Sequence, residues 1–344
     1  MSIAADFPFA VPRRAAMPRW AVWALFPAYA AALALAWWAL TRFVPDQVAI
    51  RAFGRAAVLH HVHDKVLGNA ALVLAILPGV LWLECALTGW EKSSARALFR
   101  PSGSAATDLS NFVLEQLHVS GLVGKLMMLG ASLVSGEMLR GWLLAKTGFA
   151  ADLSALPLAA QVPLCFLAYT FFDYWAHRAG HTRLFWPLHR YHHAATEMVV
   201  INGGRIHPAG FLGIFFLNIP MPLLGAGPQA MLWVNMLVTI LGFLIHSRLE
   251  TDFGWIGRYI IQSPRHHRLH HKLDMSEPTG FFAMAPVWDR LFGGWMRNQD
   301  RPNVAIGVDT QYRHGFWILP DLLRDYRDFW LGLAGRRACS PSER

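Results

Sequence analysis

Eleven of the sixteen histidines in this 344-residue chain fall between residues 177 and 271, and their spacing is ordered. His177 and His181 form H-x-x-x-H, His189, His192 and His193 form H-x-x-H-H, and His267, His270 and His271 repeat the second pattern. On a helix, residues i, i+3 and i+4 project from one face, so each box can aim its imidazoles at one point. Three boxes supply eight nitrogens, more than a single metal ion can use. Two ions with four or five nitrogen ligands each would take eight or nine and leave a position for dioxygen. His246, which closes an apolar run in Phe243-Leu244-Ile245-His246-Ser247, is the natural ninth. A ligand set this rich in imidazole suits iron, zinc or copper. His207, in Arg205-Ile206-His207-Pro208, is balanced between ligand and supporting residue, and His266 is a neighbour, because His267 alone completes the spacing with 270 and 271. His60, His61, His63, His118 and His314 read as interfacial polar residues.

Elements that could bring these boxes together are visible in the hydropathy. The chain is 54% hydrophobic and 15% charged, with a mean hydropathy of +0.31, which places it in the membrane class. Apolar stretches run at 21–40, 69–88, 121–145 and 156–175, with two shorter ones at 209–224 and 229–246 joined by Gly225, Ala226, Gly227 and Pro228 as a helical hairpin. An N-terminus in the cytosol puts 24 of the 31 Lys and Arg residues on one side, as the positive-inside rule favours. All four histidine elements then share that side. The expected fold is all-α: a multi-pass transmembrane bundle with a cytosolic-side helical cap carrying the boxes. Residues 1–150 read as an anchoring region with two to three spans, 151–300 as the catalytic domain and 301–344 as an amphipathic cytosolic tail. In that tail Leu319, Leu322, Leu323, Tyr326, Trp330 and Leu333 fall on one helical face, with Asp321, Arg324, Asp325, Arg327 and Asp328 largely opposite. Such a helix either lies on the membrane or packs on the cytosolic cap.

A formal charge of +9 without a Lys/Arg-rich run points to a membrane surface rather than nucleic acid. Three distant cysteines indicate neither a disulfide framework nor a thiolate metal site. A histidine-rich metal transporter would place ligands within the spans; here the boxes follow the spans, although Glu84 and Glu137 within apolar stretches keep that alternative reading open. A zinc hydrolase would need a general base beside its ligands, and H-E-x-x-H is absent.

The order and spacing of His177-Arg178-Ala179-Gly180-His181, Leu188-His189-Arg190-Tyr191-His192-His193, Arg205-Ile206-His207-Pro208, Ser263-Pro264-Arg265-His266-His267-Arg268-Leu269-His270-His271 and Trp288-Asp289-Arg290-Leu291-Phe292-Gly293 resemble the fatty acid hydroxylase/sterol desaturase superfamily of integral-membrane di-iron proteins. The resemblance covers about 177–294. It implies two iron ions per chain, dioxygen as co-substrate and oxidation of a membrane lipid at an unactivated C–H bond. Hydroxylation is the default outcome, with desaturation or C-methyl oxidation as branches. No flavin, haem or iron–sulfur motif is visible, so the electrons must come from a separate reductase. The expected location is a bacterial inner (plasma) membrane, with the site facing the cytosol as the Lys and Arg asymmetry favours. Asp173, one turn before His177, is placed to fix a ligand tautomer, and Asp289 is placed to hold Arg290 or a nearby backbone group.

Overall fold

The computed structural model describes residues 19–52, 55–59, 63, 75–117, 119, 131–210, 213, 217, 219–273, 280–296 and 304–335. A long helix, α1 (Arg19–Phe43), leads into an antiparallel hairpin of β1 (Val48–Ala52) and β2 (Arg55–Leu59), with Val48 opposite Leu59. Apart from this hairpin and an isolated bridge between Lys272 and Ile306, the regular structure among the described residues is helical.

Helix α2 (Leu77–Thr88) stops at Gly89, whose φ of 81° is open to glycine and strained for other residues. Helices α3 (Ser94–Phe99) and α4 (Gly103–Gln116) start on Ser93 and Ser102, whose hydroxyls accept the otherwise orphaned N–H groups of Arg96 and Ala105. Then come α5 (Ala131–Thr147), α6 (Leu158–Gly180), α7 (Trp186–His193) and a 3₁₀ turn at Val200–Gly204. The chain continues through α8 (Pro220–Leu223), α9 (Pro228–Ile245), α10 (Gly254–Tyr259), α11 (Pro264–His270), α12 (Pro286–Phe292) and α13 (Leu319–Leu333). Proline sits in the first turn of α7, α8, α9, α11, α12 and α13, where its missing N–H costs nothing.

Two apolar clusters organise these helices around the end of α9. Cys165 and Phe166 of α6 pack on Ala230, Val234 and Leu241 of α9. Val80, Ala97, Ala105 and Val199–Ile201 gather α2, α3, α4 and the 3₁₀ turn against Phe243. Each fully buried Val, Leu, Ile or Phe contributes about 1.5–3 kcal/mol, so His246, three residues after Phe243, sits on the best-packed corner of the fold.

One helix among the described residues, Pro228–Ile245, is both long and apolar enough to cross a membrane. The apolar stretch at 21–40 is helical throughout within α1, and that at 156–175 is helical from Leu158 within α6. Those at 69–88, 121–145 and 209–224 lie partly outside the described residues.

The C-terminal helix packs the opposite way from an ordinary amphipathic helix. Its acidic Asp321, Asp325 and Asp328 are buried together with Leu322 and Phe329, while Leu319, Leu323, Trp330 and Leu333 are exposed. Arg190 of α7 accounts for the inversion: its guanidinium donates to Asp325 at 2.7 and 3.0 Å and to Asp328 at 2.5 Å, and Tyr312 donates to Asp325 at 2.6 Å. A cation buried on α7 draws the acidic face inward.

Candidate metal centre

Four elements deliver the histidines. Helix α6 carries His177 in its last turn and ends on His181 as its C-cap; α7 carries His189, His192 and His193; His246 caps α9; α11 carries His267 and His270 and ends on His271. Two glycines allow the close approach. A Cβ on Gly180 would lie 2.9 Å from His189 Cγ, and one on Gly203 would lie 3.2 Å from His246 Nδ1.

The nine rings fall into two groups. His177, His181, His189, His193 and His270 offer ring nitrogens within 4.8 Å of one another, and so do His192, His246, His267 and His271. This divides each H-x-x-H-H box, contrary to the expectation that a box aims at one point. The first and last histidines of a box enter one group and the middle one enters the other. At about 100° per residue, i+4 lies about 40° to one side of i and i+3 about 60° to the other, so the latter pair diverges by about 100°. His193 of the first group and His271 of the second stack with centroids 4.2 Å apart, which places the groups side by side.

Main-chain carbonyls fix three of the tautomers. His177 Nδ1 lies 2.6 Å from Phe282 O, His270 Nδ1 2.7 Å from Gly280 O and His246 Nδ1 2.7 Å from Gly242 O. A carbonyl can only accept, so each Nδ1 carries the proton and each Nε2 presents a lone pair. Yet the Nε2 atoms of His177 and His270 are 2.9 Å apart. Two lone pairs face each other at that distance only with a cation between or beside them. Nε2 separations through the first group run from 2.9 to 3.3 Å, and those through the second are 2.8 and 3.0 Å. Imidazole nitrogens about 2.0–2.1 Å from a shared ion stand about 3.0–3.4 Å apart, so the donor sets fit one metal each.

Electrostatics favour the same state. Burial pushes His177 and His246 down to about 4 and the other seven well below the usual histidine range, with charge repulsion from neighbouring imidazoles adding to the effect in all seven. All nine are therefore neutral lone-pair donors at neutral pH.

Supporting contacts come from distant segments. Asp289 accepts the N–H groups of Phe282 at 2.9 Å and Ala283 at 3.0 Å, and so holds the carbonyl that orients His177; burial raises its carboxyl to about 6. Arg290 is sandwiched between Tyr259 and Trp295 instead, 4.3 and 3.9 Å from their ring centroids. Asp173 lines the cavity beside His177, and its carboxyl faces the Met284 backbone. His207 lies in neither group: Nδ1 accepts the Ala209 N–H at 3.1 Å, leaving Nε2–H to donate to Leu322 O at 2.9 Å. It ties the loop before the hairpin to α13. His63 contacts Val44 O at 2.8 Å and His314 sits at a φ of 47°, both apart from the groups, and His60, His61 and His118 lie outside the described residues.

Three supports gave no signal in the sequence as read. Arg205 and Asp108, both fully buried, pair at 2.6 Å, with Asn202 donating to the same carboxylate at 2.7 Å; they hold the 3₁₀ turn that presents Gly203 to His246. Arg190 anchors α7 through Asp325 and Asp328. Glu84, fully buried, accepts the Ser94 hydroxyl at 2.9 Å and the Arg248 N–H at 2.5 Å, clamping the segment after His246. Its carboxylate is engaged in folding, and Glu137 is exposed, so neither glutamate forms a ligand site within a span.

A cavity of about 420 Å³ touches both groups through His177, His189, His192, His246 and His267. Its lining also includes Leu217 and Val238, from the two apolar stretches, and the polar Glu115 and Gln116.

Residues 162–294 match the fatty acid hydroxylase family. Over 167 residues the chain is 34% identical to an ornithine lipid hydroxylase of Rhizobium tropici, covering 46% of this chain and 49% of that one. It is 26% identical over 142 residues to an alkylglycerol monooxygenase of Xenopus tropicalis, covering 40% and 31%, and 27% identical over 150 residues to a very-long-chain aldehyde decarbonylase of Oryza sativa, covering 41% and 56%. The chain thus spans about half the length or less of the first two relatives. No solved structure matches it. The matched segment contains all nine clustered histidines, and over it the chain is similar to the fatty acid hydroxylase family.

Proposed function

We propose that the chain is an O2-dependent hydroxylase of a membrane lipid, with the nine clustered histidines holding two iron ions. One observation carries the reading: a single cavity is lined by five of the nine histidines, drawn from both groups, together with Leu217 and Val238 from the apolar stretches at 209–224 and 229–246. A hydrocarbon held in this cavity would meet both apolar side chains such as Leu217 and Val238 and the imidazole cluster. Bound iron would supply the activation of dioxygen needed to oxidise an unactivated C–H bond, with two electrons from a separate reductase.

The chain's own groups set the conditions. Neutral imidazoles keep their lone pairs available, and the carbonyls of Gly242, Gly280 and Phe282 fix three of the rings. Phe243 and Phe282 wall the cavity and limit water around the reacting carbon. In this reading residues 1–150 anchor a multi-pass bundle, 151–300 form the catalytic domain and 301–344 the tail, with the histidines at the cytosolic face of a bacterial inner membrane. Ornithine lipids are the first substrates to test, since the Rhizobium tropici relative is an ornithine lipid hydroxylase.

The test is expression in a host lacking the gene, under isotopically heavy dioxygen and with a competent reductase, followed by lipid mass spectrometry. The expected product is a lipid heavier by one labelled oxygen atom. A lipid two hydrogens lighter would assign desaturation instead, and unchanged lipids across ornithine-lipid, acyl and sterol hosts, despite full metal loading, would overturn the proposal.

A further inference from the structure

The inverted packing of α13 leaves an apolar stripe that is exposed among the described residues. Leu319, Leu323, Trp330 and Leu333 project outward, and the turn before the helix adds Phe316 and Trp317, the latter 72% exposed. On a helix bathed in water this arrangement is unfavourable twice over, since acids are buried and large apolar groups are solvated. We propose that α13 is an interfacial helix whose outer face lies in the surface of the bilayer, with Arg313 and Arg327 beside it at anionic headgroups.

Four observations favour a bilayer as the occupant. At 15 residues α13 is about 22 Å long, too short for a hydrocarbon core of about 30 Å, so it lies along a membrane rather than across it. The stripe and the turn before it hold two exposed tryptophans, Trp330 and Trp317, the residue type that concentrates at the headgroup level. Every aspartate of the helix is turned to the protein side, where Arg190, Arg324 and the Arg313 N–H meet it, so the outer face offers no acid to repel anionic lipid. Arg313 and Arg327 are exposed, and Arg336 and Arg337 follow in the sequence. The position also fits: Phe329 packs on Leu188 and Ala209, and Ala209 opens the apolar hairpin. Helix α13 therefore sits beside the point where the chain turns toward the span.

The inference rests on membrane residence, not on the reaction catalysed. The full chain, with Cys85→Ser and Cys339→Ser and with Cys165 left in its buried position, is given a fluorophore at Leu323→Cys or, as a control, at Leu232→Cys on the exposed side of α9. Each protein is reconstituted into phosphatidylethanolamine/phosphatidylglycerol vesicles. Lipid-borne nitroxide at a shallow acyl position should quench the α13 label several-fold more strongly than aqueous iodide does, and the α9 label should respond to lipid-borne quencher as well. Iodide quenching at α13 alongside lipid quenching at α9 would overturn the proposal while leaving membrane residence intact. Shielding of α13 from both quenchers would overturn it in favour of a covering protein surface, such as a second copy. Loss of lipid quenching at both sites would remove membrane residence and the proposal with it.

Discussion

In the group of five histidines, His177 and His270 each donate a ring N–H to a main-chain carbonyl, whereas in the group of four only His246 does so. The remaining rings of the smaller group, His192, His267 and His271, have Nδ1 atoms that are buried without a hydrogen-bond partner among the described residues. The larger group is also braced through Asp289, which fixes the segment supplying the Phe282 carbonyl. Both groups draw on α7 and α11, so the difference lies in what surrounds the rings rather than in the helices that carry them. One side is pre-oriented with five donors; the other has four and leaves more of a metal's coordination positions open.

The strongest way to break the comparison is to delete a ligand from each side. His246→Ala and His270→Ala should each abolish lipid turnover, because both ions are needed; a variant keeping even a tenth of wild-type turnover would show that its group is dispensable. Next in size is Arg190→Met. It leaves buried Asp325 to Tyr312 and Arg324 and buried Asp328 to Arg327, and should cost up to about 3 kcal/mol of stability, read as a drop in thermal midpoint. Because α7 feeds both groups, metal should be lost from the two alike; loss confined to one group would mean that α7 does not couple them.

Much of this was legible in the sequence. Spacing singled out eight of the nine histidines that the fold brings together, because a helix converts i, i+3 and i+4 into neighbours whatever surrounds them, and His246 was marked by its place at the end of an apolar run. The division of each box was not legible: it depends on where α7 and α11 sit relative to each other, which their own residues do not encode. Nor were the carbonyls of Gly242, Gly280 and Phe282, since every residue has one. Asp325 and Asp328 looked like a solvated face because their partner, Arg190, lies more than 130 residues away. The β1–β2 hairpin likewise escaped a reading based on apolar runs.

A smaller effect should appear under chelation. Outer hydrogen bonds to ligand rings typically change metal affinity about 10–100-fold, so a chelator titration should empty the group of four first and pass through a species with half the metal. Simultaneous loss of both equivalents would contradict the asymmetry. Smallest is an acid effect outside both groups. Burial lowers the His207 pKa below its ordinary 6.5, despite the Leu322 carbonyl, and its Nδ1 must stay bare to accept the Ala209 N–H. The unfolded chain therefore binds this proton more readily. The stabilisation is complete above about pH 6.5 and is lost as pH falls below it, at about 1.4 kcal/mol per unit of depression. His207→Asn should flatten that part of the stability curve for metal-free protein between about pH 5 and 7; an unchanged slope would show that His207 does not contribute.

The most direct measurement is the iron content of the purified full chain, taken together with that of His271→Ala. Two equivalents of iron per chain in the wild type, falling to about one in His271→Ala with the larger group still filled, is the result predicted by two separate imidazole sites. A wild-type content of one equivalent, unchanged in His271→Ala, would contradict it.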